Sequence, residues 1–226
     1  MIQYIVFDIG NVLVTFDPYT YFLKYFKDET KTQTLCTLMF SHEAWSQYDA
    51  GILFLEDLYE IYHQAYPQYQ KEMDHMLTHW LELMDAIPET LACMKKLKQQ
   101  GYGIYLLSNI SQDSADYLKK TQDFFAYADG AVLSYELKTI KPDTAMYMEL
   151  FQRYHLKPSS CVFLDDGVQN IEKAISLGMQ GIVVHDIQIA LQELEELLEG
   201  DVKEWTDPNW NDCLFRWIQQ WNFNSW

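Results

Sequence analysis

The first seven residues set the pattern. Ile2-Gln3-Tyr4-Ile5-Val6-Phe7 is an apolar run rich in β-branched and aromatic side chains, which predicts a buried parallel strand. Asp8 closes it, and Ile9-Gly10-Asn11-Val12-Leu13 predicts a tight turn. Further strands are expected over residues 102–107, 131–134, 161–164 and 181–185. Helices are expected between them. One covers 88–100, with Pro88 near its first turn and Gly101 at its end. A second covers 143–155, stopped near Pro158, and a third covers 168–177, closed by Gly178. Strand and helix in alternation imply a parallel sheet with right-handed crossovers.

Residues 19–85 break that alternation. Leu, Met, Tyr and Phe recur there at helical spacing, glycines are few, and no strand is evident. The segment reads as a helical insert after the first strand, with hinges near 16–19 and 84–88, able to close over a crevice. Beyond Asp186, Ile189, Leu191, Leu194, Leu197 and Leu198 predict an amphipathic helix with Glu on its outer face. Trp205, Trp210, Trp217, Trp221 and Trp226 follow, and a tail so rich in indole is expected to pack on the chain or on a partner.

The 226 residues suffice for one large domain, or for a core plus a smaller lobe. Sixteen Lys and Arg against thirty-three Asp and Glu leave a net charge of −17, which repels nucleic acid and anionic membranes. An anionic substrate therefore needs a locally positive pocket. Cys36, Cys93, Cys161 and Cys213 are scattered, which fits free thiols in a reducing compartment. No signal peptide is visible and no apolar stretch is long enough to span a bilayer, so a cytoplasmic location is the expectation.

Polar groups stand at four predicted strand ends. They are Asp8, then Ser108 and Asn109, then Lys141 before Pro142, then Asp165 and Asp166. In a parallel sheet these ends share one edge, where open α/β sheets bind ligands. The residue types suit phosphoryl transfer. A carboxylate attacking phosphorus repels a dianionic phosphate unless a divalent cation on Asp8 and the Asp165/Asp166 pair intervenes. The Lys141 ammonium offsets more charge, and the Ser108 hydroxyl with amides of the Ile9 to Asn11 turn can donate hydrogen bonds.

These residues, in this order, resemble the haloacid dehalogenase superfamily of hydrolases. The resemblance rests on Phe7-Asp8-Ile9-Gly10-Asn11-Val12-Leu13, Leu107-Ser108-Asn109, Lys141-Pro142-Asp143, and Phe163-Leu164-Asp165-Asp166 with Asn170 after. It covers roughly residues 1–200 and implies an α/β fold: a three-layer Rossmann-like parallel sheet over 1–18 and 86–200, with an inserted all-helical cap of type 1 over 19–85. The Trp-rich C-terminal extension, 201–226, lies outside it. The resemblance implies a Mg²⁺-dependent phosphatase acting on a small phosphorylated metabolite, as monomer or homodimer, through an aspartyl-phosphate on Asp8. It further implies Asp8, the Gly10 carbonyl and Asp166 at the metal with Asp165 in support. Phosphate would be bound by Ile9, Gly10, Ser108, Asn109 and Lys141.

One position departs from the pattern. Most phosphatases of the family carry a second Asp two residues after the nucleophile as general acid and base; here Gly10 stands there. A general acid is worth about 10²- to 10⁴-fold. The Asp-x-Gly-Asn-Val form resembles a subgroup that includes sugar-1-phosphate phosphatases, whose anomeric leaving group needs less proton help. Another acid, such as Asp17 or a cap residue, is a second reading; a weakly active or non-catalytic binding protein is a third. The dehalogenase branch also lacks the second Asp, but it works without metal, and the acidic pair favours phosphoryl transfer.

Blander readings stand beside these. Taken singly, Asp8 could be a turn former, Ser108 and Asn109 a helix cap, and Lys141 a solvated charge. His75 and His79 have metal-pair spacing but no third ligand in register. Tyr21, Phe22, Tyr25 and Phe26 read as cap core rather than a sugar platform.

Overall fold

A computed structural model describes residues 1–200; the expectations for the Trp-rich tail and for Cys213 fall outside the described residues. The sheet has five parallel strands, β1 (Tyr4–Phe7), β2 (Gly103–Ser108), β3 (Gly130–Leu133), β4 (Cys161–Asp165) and β5 (Gln180–Val183), in the order β3-β2-β1-β4-β5. Strand β1 is central, with Phe7 level with Leu106 and Leu164 on its two sides. That register brings Asp8, Ser108 and Asp165 to one edge.

Successive side chains on a strand face opposite ways, and the two faces carry separate cores. Val6, Leu107, Val132 and Phe163 pack on α9 (Thr144–Tyr154) and α10 (Val168–Ser176) through Met146, Leu150, Ile171 and Ala174. Ile5, Phe7, Leu106 and Leu164 join the opposite core, with Met94 and Leu97 of α6 (Pro88–Gln99), Leu118 of α7 (Gln112–Thr121) and Leu194 of α11 (Ile187–Gly200). A sheet buried on both faces explains why its strands are continuously apolar.

Between β1 and α6 the chain forms only helices: α1 (Pro18–Phe26), α2 (Glu29–Phe40), α3 (Glu43–Asp49), α4 (Leu55–Ala65) and α5 (Gln70–His79). Phe22, Leu35, Met39, Tyr62, Met76 and Trp80 fill their common interior. The segments entering and leaving the insert are zipped together. The Thr15 amide donates to the Asp85 carbonyl at 2.8 Å, and the Ile87 amide to the Leu13 carbonyl at 2.8 Å.

Three expectations shift. Ser134 is not the last residue of β3 but the first of a short helix, α8 (Ser134–Leu137), and its hydroxyl accepts the Ile110 amide at 2.8 Å. The last strand is Gln180–Val183 and does not reach His185. In α11 the buried positions are Ala190, Leu194 and Leu198, while Ile189 is 61% exposed, so the apolar stripe is rotated from the one expected. Helix α7, which the pattern did not single out, is capped by the Ser111 hydroxyl taking the Ser114 amide at 3.2 Å.

Among the described residues the cysteines Cys36, Cys93 and Cys161 are free, and no helix is long and apolar enough to cross a membrane.

Candidate active site

Strand β1 ends at Asp8, which is only 7% exposed. Beneath it lies Lys141, 3% exposed, so this lysine is buried and not a solvated charge. Its ammonium stands 2.9 Å from Asp8 Oδ1, 2.6 Å from Asp165 Oδ2 and 2.9 Å from the Leu107 carbonyl. The contact to Asp8 is an ion pair outside hydrogen-bond geometry, which leaves Asp8 Oδ1 buried without a hydrogen-bond donor. Asn109 fixes the lysine from its backbone: its Oδ1 accepts the Lys141 amide at 2.7 Å and its Nδ2 donates to the Lys141 carbonyl at 3.1 Å.

The two adjacent acids have different surroundings. Asp165 is fully buried, and its Oδ1 accepts the Gly167 amide at 2.7 Å and Asn170 Nδ2 at 2.9 Å. With Lys141 on Oδ2, its oxygens are committed to protein donors. Asp166 is more open, and its Oδ2 accepts Asn11 Nδ2 at 2.8 Å. Asn11 adopts a left-handed backbone (φ 54°), and its Oδ1 accepts the Phe16 amide at 3.0 Å. One oxygen each from Asp8, Asp165 and Asp166 lie within 4.8 Å of one another. Hard carboxylate oxygens at this spacing, one of them short of a donor, fit a divalent cation such as Mg²⁺.

Burial drives the Asp8 carboxyl up to about 7; Lys141 opposes the rise and the Asp165 charge adds to it. Burial alone would lower Lys141, but Asp8 and Asp165 outweigh it and hold the ammonium charged.

Above Asp8 opens a cavity of about 200 Å³. Ile9, Gly10, Asn11, Ser108, Asn109 and Asp166 line its floor, and Phe16, Trp45, Trp80, Met84, Ile110 and Leu118 form apolar walls. Asp49, the last residue of α3, also lines it. Sequence reasoning missed Trp45, Trp80 and Asp49, because helical periodicity does not tell which insert residues face the sheet edge. Asp17 does not reach the cavity; its carboxylate caps α1 by accepting the Thr20 amide at 3.0 Å. Of the cap aromatics, Phe22 is core, and Tyr25, 59% exposed, stacks on His75 at 3.5 Å. His79 pairs with Glu82 at 2.8 Å. Among the described residues, the aspartate trio is the one group of acidic, His or Cys ligands close enough to hold a metal.

This fold and site are those of a hydrolase family. The model of the haloacid dehalogenase-like hydrolases matches residues 2–178, and the chain belongs to that family. A sesquiterpene phosphatase of Aspergillus oryzae is 25% identical over 85% of this chain and 95% of its own length. A drimenol cyclase of Aspergillus calidoustus is 25% identical over 82% of this chain, which spans only 34% of that protein's length. Among solved structures, a haloacid dehalogenase family enzyme of Bacteroides thetaiotaomicron, in complex with magnesium and inorganic phosphate, superposes with a TM-score of 0.63. It is 20% identical and covers 81% of this chain and 94% of its own. Dehalogenases and a bifunctional epoxide hydrolase are also among the similar proteins.

Proposed function

We propose that this chain is a Mg²⁺-dependent phosphatase acting on phosphate monoesters of compact, largely apolar alcohols. The observation that carries it is the convergence of Asp8, Asp165 and Asp166 within 4.8 Å, above a buried lysine and below a mostly apolar cavity. Asp8 attacks phosphorus along the floor of that cavity and forms an aspartyl-phosphate, which water then hydrolyses. Lys141 offsets charge on the phosphoryl oxygens, and the Ser108 hydroxyl with the Ile9 to Asn11 backbone donates hydrogen bonds to them. Asn109 positions Lys141. Asp8, the Gly10 carbonyl and Asp166 would hold Mg²⁺, with Asp165 orienting the lysine. The ion supplies positive charge against the dianionic phosphate.

Two features support the substrate class. A cavity of about 200 Å³ is below the roughly 300–1,000 Å³ of drug-sized sites. Its walls of Trp, Phe, Met, Leu and Ile offer sugar hydroxyls few partners, which weighs against the sugar-1-phosphates that Gly10 alone points to. The similarity to a protein named a sesquiterpene phosphatase agrees with that wall.

The test is phosphate release with and without Mg²⁺ from a panel of aryl, alkyl and prenyl phosphates and sugar-1-phosphates. Phosphate release is expected to depend on the metal and to be faster from the apolar esters. Asp8→Asn is expected to abolish turnover with its circular dichroism unchanged. Retained activity in that variant removes the nucleophile, and metal-independent halide release from 2-haloacids with no phosphate release would replace the reading by a dehalogenase.

A further inference from the structure

Three carboxylates line the cavity among the described residues: Asp8, Asp166 and Asp49. The first two belong to the floor and the cation cluster. Asp49 comes from the other side, at the carboxyl end of α3 in the insert. The chain there is anchored to the sheet domain at several points. The Ser134 hydroxyl hydrogen-bonds the Asp49 carbonyl at 2.6 Å, and Lys138 Nζ donates to the Gly51 carbonyl at 2.5 Å. The preceding Tyr48 hydroxyl donates to Asp113 Oδ2 of α7 at 2.5 Å. Gly51 has φ +65°, and a Cβ there would meet the Tyr135 carbonyl oxygen at 2.7 Å, so the turn after Asp49 lies directly on α8. These contacts hold Asp49 in the lining of a cavity whose floor is the nucleophile.

We infer that Asp49 is the general acid and base of this enzyme, taking from the cap the role that Gly10 leaves unfilled on the nucleophile loop. The inference rests on the phosphatase reading above. As Asp8 Oδ forms its bond to phosphorus and the ester P–O bond breaks, the Asp49 carboxyl gives its proton to the leaving alkoxide, releasing the alcohol. The Asp49 carboxylate then takes a proton from water as the water oxygen attacks phosphorus. The Asp8–phosphorus bond breaks, inorganic phosphate leaves, and Asp8 is again a carboxylate and Asp49 again an acid. Burial drives the Asp49 carboxyl up to about 7, with the Ser111 amide opposing and the Asp8 charge adding, which suits a group that both gives and takes a proton near neutrality. The arrangement also gives the insert a chemical role: the acid is present only when α3 is seated on α8.

The test is the dependence of rate on leaving group, with Mg²⁺ present. Asp49→Asn is expected to phosphorylate Asp8 from dinitrophenyl phosphate, whose leaving group needs no proton, near the wild-type rate. A burst of phenolate equal to the enzyme concentration should follow, then slow turnover with phospho-Asp8 accumulating, because the base for water is gone. With a simple alkyl phosphate the same variant is expected to lose about 10²- to 10⁴-fold already in the first step. An equal loss in the rate of Asp8 phosphorylation from both esters, or no loss in that step from either, overturns the assignment. Should the Asn variant not fold, Asp49→Ala is read by the same two ratios, and added formate is expected to restore part of its second step. If the wild type releases phosphate but the variant ratios are uniform, only Asp49 falls; if the wild type releases none, the phosphatase reading falls and Asp49 with it.

Discussion

Replacing Lys141 by Met keeps the length of the buried side chain and deletes its charge. The ammonium touches Asp8 at 2.9 Å, Asp165 at 2.6 Å and the Leu107 carbonyl at 2.9 Å. At an effective dielectric of about 20, each ion contact is worth about 6 kcal/mol of bare attraction. Desolvation of each ion opposes this by several kcal/mol, and removing one member of a buried pair costs about 3–5 kcal/mol. A chain of this length shifts its midpoint by about 2–4 °C per kcal/mol, so a fall of about 6–20 °C is expected.

The deficit depends on pH, with a definite sign. Burial holds the Asp8 carboxyl at about 7, well above the usual carboxylate range, so its contribution is full at low pH and lost as pH rises through about 7. Without the ammonium, which opposes the rise, the folded value of Asp8 climbs further, and the loss on raising pH becomes larger. Urea unfolding of both proteins in EDTA, at about pH 5 and about pH 8, reads this directly, because EDTA keeps other cations from standing in for the lysine. The variant is expected to be weakest relative to wild type at the higher pH. A deficit below about 1 kcal/mol, the range of an exposed ion pair, or one equal at the two pH values, would refute the buried pairing.

Asn11→Ala removes the donor to Asp166 and is expected to raise the Mg²⁺ concentration for half-maximal activity by about 10- to 100-fold, the usual cost of losing a group that orients a metal ligand; unchanged metal dependence would argue against Asp166 as a ligand. A Cβ at Gly10 meets nothing within 4 Å, so Gly10→Asp is expected to fold and, because Asp49 already supplies the acid, to leave the ratio of kcat/KM for alkyl over dinitrophenyl phosphates close to that of the wild type; a large rise in that ratio would argue against Asp49 as the acid. Trp80→Ala is expected to raise KM for apolar esters far more than for phosphorylated sugars, and an equal effect on both would argue against the apolar wall as the selecting surface.

Much of the site was legible because strand ends in a parallel sheet are fixed by the alternation of elements. Once 2–7 and 161–164 read as buried strands, Asp8 and the Asp165/Asp166 pair had to share an edge, and the structure brings them within 4.8 Å. Lys141 was legible by its place in the order, but its burial was not. That depends on Asn109 clasping its backbone across 32 residues of chain, a contact without a local signature.

The sequence alone determined the layers, since continuous apolar runs mark strands buried on both faces and period-3.6 patterns mark helices buried on one, and both are local properties. Tertiary structure alone decided what faces Asp8 from above. Trp45, Trp80 and Asp49 sit on a helical insert whose orientation depends on the paired segments at Thr15 and Asp85 and on the Ser134 and Lys138 contacts. Such long-range hydrogen bonds leave no periodic trace. The same physics divides Asp165 from Asp166: adjacent and identical in sequence, they differ because strand geometry turns one into the sheet beside Lys141 and the other toward the cavity.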